Sequence, residues 1–222
     1  MGPDVARIVE DIPQALVDGL TVESVDGRAT LRHRHVGDLI VTSGAIVACD
    51  PKWVEEDTIW PFTTHVPPGR YPTTLSIAHF TRDQRVAYAT LRFNARQPAR
   101  WEVATFPEAA MSAAGAAEAG QIPAYGVDAG IGCFMDADAA RVWARRINTI
   151  ADADQVINEE MDRNGVDTCS WATIGLEPET AANLIAFSAG VGDGSYASYF
   201  GYDADGAIAC LVTDFALLWH DS

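Results

Sequence analysis

The spacing of apolar residues divides the chain into a helical start, a long run of strands, a helical insertion and a second run of strands. Val5, Ile8, Val9, Ile12 and Leu16 recur at helical spacing, which predicts an amphipathic N-terminal helix that Pro13 breaks or restarts. From Arg28 the period changes to two: Ala29, Leu31, His33 and His35 share one strand face, and Thr30, Arg32 and Arg34 take the other. The segments 38–49, 71–80, 85–94 and 100–106 are rich in β-branched or aromatic residues and are parted by turn-forming stretches. Together they predict an antiparallel sheet. With three prolines and a glycine, Val66-Pro-Pro-Gly-Arg-Tyr-Pro72 can only be a turn or an extended lead into the next strand.

Residues 107–121 open with Pro-Glu and continue as an alanine run containing Gly115 and Gly120, a loose helix or connection. If the single domain spanning 1–222 has two lobes, they divide there. Beyond it, Asp136 is placed to cap a helix presenting Val142, Trp143, Ile147 and Ile150, and a second helix runs from Asp154 to Asn164 with Gly165 at its end. Segments 168–176, 182–188, 196–203 and 207–218 again read as strands. The expected class is α+β: mainly antiparallel sheet, an N-terminal helix, and one or two helices within 136–164.

Composition adds a large core and a negative surface. Of 222 residues 48% are hydrophobic, including six Trp, six Tyr and eight Phe, enough to offset the entropy of folding. Against 31 acidic residues stand 15 basic ones, for a net charge of −16, and Lys52 is the only lysine. Such a field repels nucleic-acid phosphates and anionic lipid, so neither nucleic acid nor membrane is an expected partner, whereas a basic protein is. No apolar run approaches the roughly 18 to 20 residues that cross a bilayer, and the N-terminus has no secretory pattern, so a soluble, cytoplasmic protein is expected. Cys49, Cys133, Cys169 and Cys210 are scattered without Cys-x-x-Cys spacing and read as reduced core residues. The alanine-rich, arginine-over-lysine composition suggests a GC-rich bacterial genome.

Two stretches are more distinctive: Tyr125-Gly-Val-Asp-Ala-Gly-Ile-Gly-Cys-Phe-Met-Asp136, and Gly190-Val-Gly-Asp-Gly-Ser-Tyr-Ala-Ser-Tyr-Phe-Gly-Tyr-Asp-Ala-Asp-Gly206 with the later Val212-Thr-Asp-Phe215. In this order, after the Pro68-Gly-Arg-Tyr-Pro72 turn, they resemble the bacterial family catalogued as domain of unknown function 4241, over roughly residues 35 to 217. Members tend to have a tryptophan where this chain has Val191. The resemblance implies no activity and brings no functional residues.

The chemistry therefore rests on the residues. Asp128, Asp136 and Asp138 could supply oxygen ligands to Mg²⁺ or Ca²⁺ beside Gly130 and Gly132, and Asp136 and Asp138 serve equally as helix cap and first-turn charge. No cofactor is called for, and a divalent metal is compatible with these carboxylates. In the second stretch, Gly192, Asp193 and Gly194 precede Tyr196, Tyr199 and Tyr202; Asp203-Ala-Asp205-Gly206 departs from the calcium-loop pattern and predicts a hairpin turn. Tyr196 and Tyr202 then share one face and Tyr199 takes the other. His33 and His35, with Asp38 in the adjoining turn, form a two-ligand metal arrangement lacking a third convincing ligand. Arg28, Arg32 and Arg34 make a basic strip suited to a carboxylate or phosphate. Cys133 sits in a glycine-containing turn without a nearby histidine to activate it, and reads as a core thiol.

Three functions fit. The first is a non-enzymatic acidic binding protein, of the immunity type that neutralises a basic toxin. The second is a metal-assisted hydrolase or transferase using Asp128, Asp136 and Asp193. The third is a small-ligand or sugar-binding module with tyrosine and tryptophan rings beside the glycine loops. The patterns leave open whether the chain is an enzyme.

Overall fold

The structure is a computed structural model and describes residues 10–113, 122–149, 153–166, 168–176 and 181–218. Thirteen strands among these residues form two antiparallel sheets. The larger contains β1 (Thr21–Ser24), β2 (Gly27–Val41), β4 (Gly69–His79), β5 (Gln84–Arg92), β6 (Arg100–Val103), β7 (Ala124–Val127), β12 (Gly194–Tyr202) and β13 (Ile208–Asp214). Its order is β1-β2-β4-β5-β13-β12-β6, and β7 also pairs with β12, alongside residues 194–197 while β6 pairs with 199–202. The smaller sheet runs β3 (Ile46–Cys49), β8 (Ile131–Asp136), β11 (Asn183–Ser188), β10 (Cys169–Gly175) and β9 (Gly165–Val166). Both sheets draw strands from each side of the 107–121 segment.

The predicted mainly antiparallel α+β architecture is what the structure has, but the N-terminal helix needs correction. Its described part is α-helical only at Glu10 and Asp11 and then tightens into a 3-10 turn, Ile12–Leu16, with Pro13 at its start. Proline lacks the N–H that would continue an α-helix and fixes φ in the range a first turn tolerates. Val5, Ile8 and Val9 lie outside the described residues, as do 114–121 of the alanine run. Three α-helices are described: α1 (Glu108–Ala113), α2 (Ala137–Thr149) and α3 (Ala153–Arg163).

The sheets stack around one core. Leu39, Val41, Leu75, Leu91, Phe200 and Leu211 from the larger sheet meet Phe134, Ile185 and Phe187 from the smaller one. Helices α2 and α3 cover the far side of the smaller sheet through Trp143, Ile157 and Met161. On the far side of the larger sheet, Ile12 and Ala15 of the 3-10 turn pack with Leu31, Tyr88, Tyr199 and Leu217. Tyr196 and Tyr199 thus enter different cores, as strand alternation requires.

Strand β2 belongs to both cores because it contains a bulge. Ala29 and Leu31 face the 3-10 turn, yet Leu39 and Val41, also odd-numbered, face the opposite sheet. The register against β4 shifts between His35 and Gly37, and one extra residue reverses the alternation. Gly37 has φ +143° there, and a Cβ would lie 2.5 Å from Thr173 Oγ1. The sheets meet at this point: the Thr173 hydroxyl donates to the Val36 carbonyl at 2.7 Å, and Asn183 accepts from the Ile40 N–H and donates to the Asp38 carbonyl. Period-two reading of 28–35 was correct and the joined strand 38–49 was not. The chain leaves β2 at Val41 and turns at Gly44 before β3.

Gly37→Ala is therefore expected to lower stability by about 1–3 kcal/mol, through backbone strain and collision with Thr173. A shift in urea midpoint at unchanged slope measures it; an unchanged midpoint would show that the bulge tolerates a side chain.

Candidate functional site

The candidate site is anchored by a turn that the sequence marks only locally. Asp50-Pro51-Lys52-Trp53 follows β3, with aspartate first and proline second, as a tight turn favours. The Trp53 N–H meets the Asp50 carbonyl at 3.3 Å, and the Asp50 side chain accepts the Lys52 N–H at 2.9 Å. Its other carboxylate oxygen accepts the N–H groups of Asp128 and Ala129, at 2.9 and 2.7 Å. Asp50 is 4% exposed, so its charge is held by backbone dipoles in place of water. From the other side, Trp143 of α2, fully buried, donates its indole N–H to the Pro51 carbonyl at 2.7 Å. The turn is thereby fixed to the first glycine loop and to the helical layer.

Two clefts flank this junction. The first, about 260 Å³, is lined by Trp53, Trp60, Phe106, Tyr125 and Cys49, and among the described residues its charged lining is Asp50 and Asp128. Trp53 is 67% exposed. Elsewhere the protein covers aromatic faces with arginine: Arg34 over Trp171, Arg100 over Tyr202 and Arg146 over Trp143. Among the described residues, neither a cation nor another ring covers Trp53 or Trp60.

The second cleft, about 420 Å³, lies between the glycine loops and is bordered by Lys52, Arg85, Asn158, Asp162, Ser170 and Ser188. The loops converge: a Cβ on Gly130 would lie 3.7 Å from Gly192 Cα, and the Ala189 N–H donates to the Gly130 carbonyl at 2.9 Å. Gly130 takes φ +66°, open to glycine at little cost, and this lets the loop turn into β8. The Tyr196 hydroxyl donates to the Gly192 carbonyl at 2.7 Å and holds the second loop; burial, then the Asp193 charge, push its pKa up. Lys52 Nζ donates to Asn158 Oδ1 at 2.7 Å, and Arg85 pairs with Asp83, holding that carboxyl below its usual range.

The remaining sequence candidates are dispersed. Val127 and Gly194 are partners in the β7–β12 ladder, so Asp128 and Asp193 follow at the same end of it. Asp136 stands at the far end of β8, about 16 Å from Ile131 at strand rise, and is not brought to them. Its buried carboxylate instead accepts the N–H and hydroxyl groups of Thr42 and Ser43 and the Asp138 N–H, so it caps α2 and ties β8 to the chain before β3. Asp138 pairs with Arg141. His33 Nε2 lies 3.0 Å from the Ala15 carbonyl, while His35 pairs with Asp38, which also binds Arg70. The arginine strip divides: Arg28 pairs with Glu23, whereas Arg32 and Arg34 border a cleft of about 170 Å³ beside Trp171. No group of three or more His, Cys, Asp or Glu among the described residues is arranged to hold a metal ion. Asp203 caps the predicted hairpin turn, accepting the N–H groups of Asp205 and Ala207, and Gly206 has φ +82°.

Sequence reasoning missed Asp50, Trp53, Trp60 and Phe106. The Asp-Pro signature beside the sole lysine was a usable signal for the turn; its partners at 128 and 129 were not legible locally.

The geometry defines a two-sheet α+β protein whose glycine loops and aspartate-anchored turn frame two clefts, one aromatic and acidic, one polar. The chain belongs to the family described as Protein of unknown function (DUF4241), whose profile matches residues 39–213. No curated protein and no solved structure matches it.

Removing the Asp50 carboxylate orphans three N–H groups, so Asp50→Ala is expected to cost about 3 kcal/mol or more and to speed amide hydrogen exchange at Asp128 and Ala129. Unaltered exchange at those two amides would show that the carboxylate does not hold the loop.

Proposed function

We propose that this chain is a non-enzymatic binding protein that takes a cationic side chain, lysine or arginine on a basic protein partner, into the cleft formed by Trp53, Trp60 and Phe106. The observation that carries the reading is the 67% exposed Trp53 ring, covered by no cation or ring among the described residues, beside a cleft whose described charged residues are both aspartates. An indole face attracts a cation, and Asp128 adds a counter-charge at the same cleft. Val47, Val54, Ala110 and Ala124 line the rest of the cleft and suit the aliphatic stem of a long basic side chain. The net charge of −16 steers such a partner toward the surface before contact. A toxin that grips nucleic acid through a basic face is the class of partner this charge selects.

Support also comes from what the other sequence candidates do. The Asp136 carboxylate accepts five hydrogen bonds within the fold, which leaves the metal-assisted reading without the third carboxylate it assumed.

The test is a tryptophan-fluorescence titration with N-acetylarginine amide and with an arginine-rich peptide, at low and moderate salt. Saturable binding that weakens with salt is expected. Trp53→Ala is expected to weaken it by about 2- to 30-fold, the equivalent of a cation–π contact of roughly 0.5–2 kcal/mol, while leaving stability within about 0.5 kcal/mol because the ring is exposed. Asp128→Asn should weaken it further. Equal affinity for an uncharged peptide, or undiminished binding by the double variant, would overturn the reading.

A further inference from the structure

Cys49 and Cys133 are 84 positions apart in sequence and directly opposed in space. They are partners in the β3–β8 ladder, and their sulfurs are 3.6 Å apart. Opposed residues of antiparallel strands have Cα separations near 4.5 or 5.5 Å, both within the range a disulfide spans, and closing the bond requires the sulfurs to approach by about 1.5 Å. The two thiols differ in access. Cys133 is fully buried against α2, whereas Cys49 is half-buried and lines the aromatic cleft. One sulfur can therefore meet a reagent from solvent while the other waits behind it.

We infer that Cys49 and Cys133 form a reversible thiol–disulfide site, in which Cys49 reacts with a low-molecular-weight disulfide and Cys133 resolves the product. The Cys49 thiolate attacks the external disulfide R–S–S–R, forming Cys49–S–S–R and releasing R–S⁻. Cys133 then attacks the Cys49 sulfur, its proton passing to the second departing R–S⁻, which leaves as R–SH. Two protein thiols are oxidised by two electrons and one external disulfide is reduced to two thiols. The reverse exchange restores the pair.

The arrangement assigns different tasks to the partners. Burial, and next the neighbouring Cys49 sulfur, push the Cys133 thiol well above its ordinary range, which fits Cys133 as the partner that reacts second. Cys169 and Cys210 are buried without a sulfur partner among the described residues, and burial raises each to about 11. They act as internal controls. This inference stands on the β3–β8 geometry and does not require the cleft to have a ligand.

The experiment treats the folded full chain with oxidised glutathione at graded ratios to reduced glutathione, then counts free thiols and maps peptides by mass spectrometry. The wild-type chain is expected to lose two of its four thiols, to yield a peptide joining the Cys49 and Cys133 segments, and to regain both thiols with dithiothreitol. Cys133→Ser is expected to stop at one glutathione on Cys49. Retention of all four thiols, lasting glutathione on wild-type Cys49, or a bridge involving Cys169 or Cys210 would each overturn it. If Cys133→Ser does not fold, the wild-type peptide map decides alone. A cleft that binds no cation alters none of these readouts, so failure of that reading and of this one are separable.

Discussion

Two buried aspartates anchor the smaller sheet, and the candidate site depends on both. Strands β3 and β8 run antiparallel; Asp50 follows the first and Asp136 ends the second. Each carboxylate crosses to the chain that leads into the partner strand: Asp50 to the N–H groups of residues 128 and 129, Asp136 to those of 42 and 43. Both are at most 4% exposed. A buried carboxylate is costly unless several donors converge on it, and here the donors are backbone groups that would otherwise be unpaired where the strands begin. The reciprocal arrangement fixes both ends of the β3–β8 pair, and with it the turn carrying Lys52 and Trp53, the glycine loop carrying Asp128, and the opposed cysteines between them.

The bulge in β2 does comparable work for the larger sheet. By reversing which side of a 15-residue strand faces inward, it lets Leu31 serve the core under the 3-10 turn and Leu39 the core between sheets. A continuous alternation would have sent one of these leucines to the wrong face. The glycine at the bulge also leaves room for Thr173, whose hydroxyl reaches the Val36 carbonyl, so the strand's change of face and the contact between sheets share one cause.

How much of this could be read from the chain follows the range of each interaction. The strands within 71–106 and 168–214, the helices near 137–149 and 153–163, and the turn at Gly206 were legible because alternation, caps and turn residues act over a few positions. At the N-terminus helical spacing predicted an α-helix, but among the described residues only 10 and 11 are α-helical before the chain tightens into a 3-10 turn at Pro13, the break that the missing N–H imposes. Asp128 and Asp136 stood close in sequence and were read as one carboxylate group, but the strand between them holds them apart. The partners of Asp50 and of Cys49 lie 78 and 84 positions away and depend on sheet pairing, which no local pattern encodes.

The aromatic cleft follows from these constraints. Its wall runs from half-buried Cys49, with the fully buried Cys133 behind it, to Trp53 in solvent, all on or next to the stapled β3–β8 pair. Because the Asp50 turn is held by its carboxylate and by the Trp143 indole, Trp53 is displayed from a fixed backbone. An exposed indole on a rigid support loses little conformational freedom when a partner covers it, which favours binding. The same rigidity keeps the two sulfurs opposed while leaving only one of them open to the cleft. The binding proposed at Trp53 and the thiol exchange inferred at Cys49 would thus use one wall, held in place by the buried Asp50.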